Sequence, residues 1–416
     1  MRCSITGATV DQVKDVGATD IKATRFTGVI FATLTEEQAL RLESQGCTVD
    51  KVAEVRASVI APPTPVAGIA TYTPQQLLLI TGIEDLRSIT TPPLYGEGFN
   101  IAVIDTGIRE THELVGGRVI YSKNYTTDPM GDGFDHGTGV CAIIVAVAPL
   151  CKVLNLKVLN NEGNGTEEEV VVAIDDCIDF QESQPEIAPH VINVSLGSED
   201  DGDVNNILRL ACRAAIENGI WVIAAGGNSG PISQTVMTPA CEHYVLAVGS
   251  LRYLPSDESF IVSNWSSRGP TLEGLAKPDL VMFGEDIQMA SSASDTATIA
   301  KSGTSFGAPF VSGFAVLYHE ASYRRIEGPE IVPGTSIPVT LDVPVRDLID
   351  IYQPLICIKP EGAPAGKDND YGYGLAFGPL VLKALSPGGA ATISAMIMPM
   401  MMVMMMGAMM SSFTEN

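Results

Sequence analysis

The 416-residue chain reads as an α/β protein: a doubly wound, mostly parallel sheet with helices on both faces, preceded by a small α+β unit. Three observations carry that expectation. Apolar runs recur at "FNIAVID" (99–105), "KVLNLKVL" (152–159), "HVINVSL" (190–196) and "IWVIAAG" (220–226), as strands buried on both faces require. Helical stretches at 167–182 and 205–218 lie between them, and strand–helix–strand repetition implies parallel pairing. Three prolines in "APPTPVAG" (61–68) separate this region from a differently patterned start.

Within residues 1–60, "TGVIFATL" (27–34) reads as a strand. Residues 35–46 read as a helix, with Thr35 and Gln38 spaced as a capping box and Gly46 as the stop. Residues 48–59 alternate and return as one strand. A linker is expected over 61–76, the main domain over 77–388 and a tail over 389–416. In open parallel sheets chemistry gathers beyond the carboxyl ends of the strands. Asp105 sits at one such end, and Asn228 closely follows another. The tail is unusual, since 393–410 holds ten of the fifteen methionines and no charge. That length is near the lower limit for a membrane span, but Pro399 interrupts it and no basic residue flanks it. A surface-packed or poorly ordered tail is the first expectation, and membrane or partner contact the second.

Composition narrows the function classes. Hydrophobic residues make up 45% and charged ones 18%, which suits a filled core. A formal charge of −24 repels phosphate backbones and argues against a nucleic-acid partner. The first residues lack a basic start followed by an apolar run, so no secretory signal is visible and localisation stays open. Eight cysteines without a C-x-x-C pair argue against zinc, and buried free thiols are expected.

The stretch "IAVIDTGI" (101–108) fits two kinds of protease. An aspartic protease needs two carboxylates sharing a proton, so a single chain carries Asp-Thr-Gly twice. Here it occurs once, on an α/β pattern, and that reading fails. A serine hydrolase needs a nucleophile, an imidazole base, an acid to orient the base, and oxyanion donors. "DHGTGV" puts His136 at a helix start, "SGTSFGAPF" puts Ser305 at another, and "AAGGNSG" puts Asn228 in a glycine-rich turn. Unpaired N–H groups at a helix start can serve a developing anion.

These segments, with "INVSLGS" and "SNWSSRGP…KPDLVMFG", resemble the subtilases, the subtilisin-like serine proteases, from about residue 95 to 318. "YGYGLAFGPLVLKAL" (371–385) is similar to the family's closing segment. The order Asp, His, Ser is the subtilisin order. The resemblance implies a subtilisin-like fold and a triad of Asp105, His136 and Ser305, with Asn228 and the Ser305 N–H holding the oxyanion. It implies substrate binding by Gly163, Asn164 and Gly165, by Ser195, Leu196 and Gly197, and by Gly226, Gly227 and Met237. Met237 stands where well-known members have glycine, so the primary pocket is expected to take small or medium apolar side chains.

No cofactor is expected for catalysis. The helix after His136 runs on without the loop that forms a tight calcium site in well-known members, so that site is expected to be absent, while other structural calcium stays open. Residues 1–60 resemble the family's inhibitory propeptide, with self-cleavage expected between 58 and 76. Partners are then protein or peptide substrates and the chain's own propeptide. Two alternatives carry other functions: a peptide transferase or macrocyclase on the same fold, and a non-catalytic binding module. Cys141 and Asp135, close to His136, read as a buried thiol and a capping or solvated acid.

Overall fold

A computed structural model describes residues 1–58, 71–89, 92–256, 259–327 and 357–376. The tail and most of the linker lie outside the described residues. Among the described residues the central sheet has ten strands and is mostly parallel. From one edge the order runs Cys357–Ile358, Leu375–Ala376, Leu280–Phe283, Leu246–Leu254, Trp221–Ala225, Val191–Val194, Asn100–Asp105, Lys152–Lys157 and Val119–Asn124. Ser259–Val262 pairs antiparallel to Leu246–Leu254. Chain order reverses around Asn100–Asp105, which pairs in parallel with Val191–Val194 on one side and Lys152–Lys157 on the other. Asp105 therefore ends the strand at the topological switch point, where doubly wound sheets hold their sites.

Two apolar layers cover the sheet. The helices Gly137–Val147 and Thr304–Glu327 share a buried cluster with Ile101, Val103, Ile223 and Val281. The helices Glu167–Ser183 and Ile207–Glu217 share another with Ala102, Ile104, Ile192 and Val222. Neighbouring residues of one strand thus enter opposite cores, which explains the apolar runs. The first pair of helices approaches closely at Gly313: a Cβ there would stand 2.7 Å from Val147 Cβ. That absent side chain sets the spacing between the helix led by His136 and the one that carries Ser305.

The first unit is a four-stranded antiparallel sheet, in the order Thr19–Ala23, Ile30–Thr33, Arg2–Thr6, Thr48–Lys51, with the helices Val10–Asp15 and Glu36–Ser44. Thr35 and Gln38 form the capping box that the sequence predicts. The single strand expected over 48–59 is two. Thr48–Lys51 closes the small sheet, whereas Glu54–Ala57 leaves it and joins the main domain. Alternation reports side-chain direction but not the partner of a strand, so it could not show this break. Tyr72 bridges to Ile287 and the helix Pro74–Ile80 buries Leu77 and Leu78 in the main core, so the packed domain starts inside the expected linker.

The small unit docks on the helices of the second layer. Val29 and Phe31 are fully buried in that layer's cluster. Arg2 pairs with Glu168 through two contacts of 2.6 Å, and the Asp175 carboxylate accepts the N–H groups of Arg25, Phe26 and Thr27. All eight cysteines are unpaired, seven of them buried. No helix among the described residues is long and apolar enough to cross a membrane.

His319 lies in the first layer with its ring 4.3 Å from Trp221 and 6.1 Å from both Phe99 and His190. Burial lowers its pKa from 6.5 to about 3, with the neighbouring His190 adding to the shift. The folded value is depressed, so the stability this group contributes is present above about 6.5 and is lost as pH falls from there towards 3. Urea unfolding of wild type should therefore weaken by about 2 kcal/mol between pH 7 and pH 5 relative to His319→Leu. Parallel slopes for the two proteins would show that His319 is not kept neutral.

Candidate active site

Asp105 leaves the switch-point strand into a turn, and its side chain is buried against the start of the helix Gly137–Val147. Its Oδ1 lies 2.7 Å from His136 Nδ1, and both side chains are almost wholly excluded from solvent. The Thr106 N–H also donates to Asp105 Oδ1 at 2.7 Å. The Gly137–Val147 helix must start close to this carboxylate: a Cβ on Gly137 would stand 2.3 Å from the Gly107 carbonyl oxygen and 3.0 Å from Asp105 Oδ1.

Asp132, which the sequence reading did not single out, organises this corner. Its carboxylate accepts the Thr106 hydroxyl at 2.8 Å and the N–H groups of Asp135, His136 and Thr138 at 2.8, 3.0 and 2.9 Å. The Thr138 hydroxyl adds a bond of 2.7 Å. One acid thus satisfies donors at the helix start and ties them to the residue after Asp105. Its position four residues before His136, beside a helix start, is the sequence signal that could have found it. Beneath it, the buried Lys157 Nζ donates to the Thr106 carbonyl at 2.5 Å. Burial pushes the Lys157 pKa down, while the charges of Asp132, Asp128 and Asp105 oppose the shift.

Ser305 is the second residue of the helix Thr304–Glu327. Pro309 lies inside that helix and has no N–H to give the Ser305 carbonyl. The Ser195 hydroxyl supplies the missing donor at 3.0 Å, held in turn by Asn193. The His136 ring lies 5.3 Å from that of Phe306. Ser305 Oγ does not point at His136: it lies 2.5 Å from the Ser58 carbonyl oxygen and 2.8 Å from that of Ser195. Asn228 accepts the Thr304 N–H at 2.9 Å, and its Nδ2 donates to the Ser58 hydroxyl at 2.9 Å.

The remaining expected residues form the two walls of a cleft. Leu196 and Gly197 pair antiparallel with Ala57 and Arg56, and the Ser195 carbonyl accepts the Ser58 N–H at 3.3 Å. Asn164 and Gly165 pair with Arg56 and Val55, and the Gly163 carbonyl accepts the Ala57 N–H at 3.0 Å. The segment Glu54–Ala57 is thus the middle strand of a three-stranded sheet. Gly227 donates its N–H to Thr304 Oγ1, and the Gly226 carbonyl accepts the Met237 N–H. The Met237 side chain fills the space between Gly197 and Gly227. Asp135 accepts the Ser292 N–H and pairs with Lys301, so it braces neighbouring loops rather than the helix. Cys141 is fully buried on the His136 side of the fold, and burial pushes its thiol pKa well up.

Asp132→Asn would put an N–H₂ group against a ring of donors. It should lower stability by about 1–3 kcal/mol and should shift and broaden the low-field proton NMR signal of the His136–Asp105 hydrogen bond. A sharp, unmoved signal at wild-type stability would show that Asp132 does not hold this pair.

The family model described as the subtilase family, peptidase S8, matches residues 96–374. Serine protease AprX of Bacillus subtilis (strain 168) is 31% identical over 271 residues, covering 58% of this chain and 60% of that protein. Subtilisin-like protease 1 of Trichophyton tonsurans is 32% identical over 225 residues, covering 53% of this chain and 41% of that protein. The chain thus spans less than two thirds of the length of these relatives. With the match extending over Asp105, His136, Asn228 and Ser305, this chain is a member of the subtilase family.

Proposed function

We propose that the chain is a serine endopeptidase that hydrolyses peptide bonds and is made as a precursor inhibited by its own N-terminal propeptide-like unit, residues 1–60. The observation that carries the reading is the middle strand of the cleft, which brings the Ser58 carbonyl oxygen 2.5 Å from Ser305 Oγ. A substrate laid in the same way would present its carbonyl to the nucleophile, gaining backbone hydrogen bonds on both sides.

In this reading the Ser305 hydroxyl rotates to His136 Nε2, a buried nitrogen without a hydrogen-bond partner among the described residues. His136 takes the proton as Oγ attacks, then delivers it to the leaving amine. Asp105 fixes the tautomer with the proton on Nδ1 and stabilises the imidazolium. The negative charge on the carbonyl oxygen falls to the Asn228 amide and the Ser305 N–H. Asn228 is preset for this by Thr304, whose N–H and hydroxyl both engage its Oδ1. Water then repeats the sequence on the acyl-enzyme and releases the acid.

The propeptide unit supports inhibition in two ways. It buries Val29 and Phe31 against the main domain, and it continues directly into the strand that fills the cleft. The test is the intact mass and N-terminal sequence of purified wild type beside Ser305→Ala. Wild type should lose its N-terminal segment while Ser305→Ala stays whole, a rate difference of roughly 10⁶. Equal processing of both would refute the proposal.

A further inference from the structure

Beside the helix Gly137–Val147 the first layer is left uncovered along one line. A groove of about 360 Å³ runs there between that helix, the helix Pro74–Ile80 and the turn at 113–118. Its walls are largely apolar: Leu78, Leu114, Val145 and Ala146 line it, together with the buried Met289. Leu114 is 39% exposed. Val145 and Ala146 are half-buried, although their neighbours Ile143, Ile144 and Val147 are wholly covered.

The charged groups at the rim leave little net charge to satisfy. Arg87 gives its guanidinium to Glu84 at 2.6 Å and to the Ala146 carbonyl at 2.7 Å. Glu113 and Arg118, the other two charged residues there, are of opposite sign. A charged occupant would lose its water against such walls, whereas an uncharged apolar one gains by leaving it.

The chain itself carries an occupant of that kind. Residues 384–414 hold no charged side chain, and 393–410 within them hold ten methionines. Thioether side chains are flexible and fill irregular apolar gaps without demanding one fixed shape. The segment also has the reach. Leu375, in the last strand of the described chain, pairs with Val281, which lies eight residues before Met289. Leu375 and Met289 therefore stand within about 35 Å of each other, whatever the path between them. Residues 376–392 can span about 55 Å, enough to bring residue 393 to the groove.

We infer that the methionine-rich segment 393–410 of this chain docks in the groove between the helices Gly137–Val147 and Pro74–Ile80. Docked there, it covers the exposed side of the helix that follows His136 and removes its own apolar side chains from water. The inference does not depend on the endopeptidase reading above.

The test uses the full-length Ser305→Ala chain grown with photo-methionine, so that self-cleavage plays no part in it. After irradiation, cross-linked peptides should join 393–410 to 113–118 or 142–149. Leu114→Glu combined with Ala146→Glu should lower their yield at least tenfold, and chymotrypsin should then cut within 393–413 at least tenfold faster. Cross-links from Met289 to the groove walls and an unchanged thermal transition show that this variant is labelled and folded. Mixing unlabelled with nitrogen-15 chains separates contacts within one chain from contacts between chains. Cross-links only between chains would put a second copy in the groove and overturn the inference. Cross-links from 393–410 to other surfaces alone, none at all, or a yield untouched by the two substitutions would overturn it as well.

Discussion

The carboxylate of Asp132 accepts hydrogen bonds from the residue that follows the switch-point strand and from the N–H groups that open the helix after His136. Strand and helix belong to different elements of the sheet and its first layer, and neither alone sets the distance from Asp105 to His136. Sharing one half-buried acceptor makes the distance between Asp105 and His136, 2.7 Å at their contact, a property of the turn. A second constraint acts at the far end of the same helix. Gly313 lets the Ser305 helix approach Val147, and Ser305 is thereby held on the same side of the sheet as His136. Together these contacts preorganise the site at the cost of burying several charges, which Lys157 partly balances.

The inhibition proposed above would rest on backbone bonding of the same kind. The cleft offers two unpaired edges, and Glu54–Ala57 satisfies both. Because this strand is tethered to a folded unit, its effective concentration at the cleft is high. The ion pairs that dock the unit, Arg2 with Glu168 and Arg25 with Asp179 and Glu182, are partly or largely exposed and contribute little each. Burial of Val29 and Phe31 contributes more, about 1.5–3 kcal/mol for each side chain.

Much of the fold was legible because its signals are local. The apolar strands at 99–105, 152–159, 190–196 and 220–226 appear within one or two residues of their expected bounds, trimmed at one end or both. The capping box at Thr35 needed only its own four residues. The strand expected over 48–59 failed for the opposite reason. Its alternation persists through Lys51 and Glu54, but the two halves pair with partners over a hundred residues apart in the sequence. Met237 was legible as an obstruction. That it is wedged between Gly197 and Gly227, rather than turned to solvent, depended on the packing of two distant turns.

The sequence by itself determined which residues carry the family resemblance: one Asp-Thr-Gly at a strand end, one histidine and one serine at helix starts, and their order along the chain. Those features depend on residue type and short-range periodicity, which are written residue by residue. Only the tertiary structure decided that Asp132 joins the turn after Asp105 to the segment that bears His136, that Ser195 serves the carbonyl left open by Pro309, and that Ser58 reaches Ser305 across 247 positions. Such contacts arise from how the sheet and its layers pack as a whole, and the packing of distant segments leaves no periodic trace in the residues that meet.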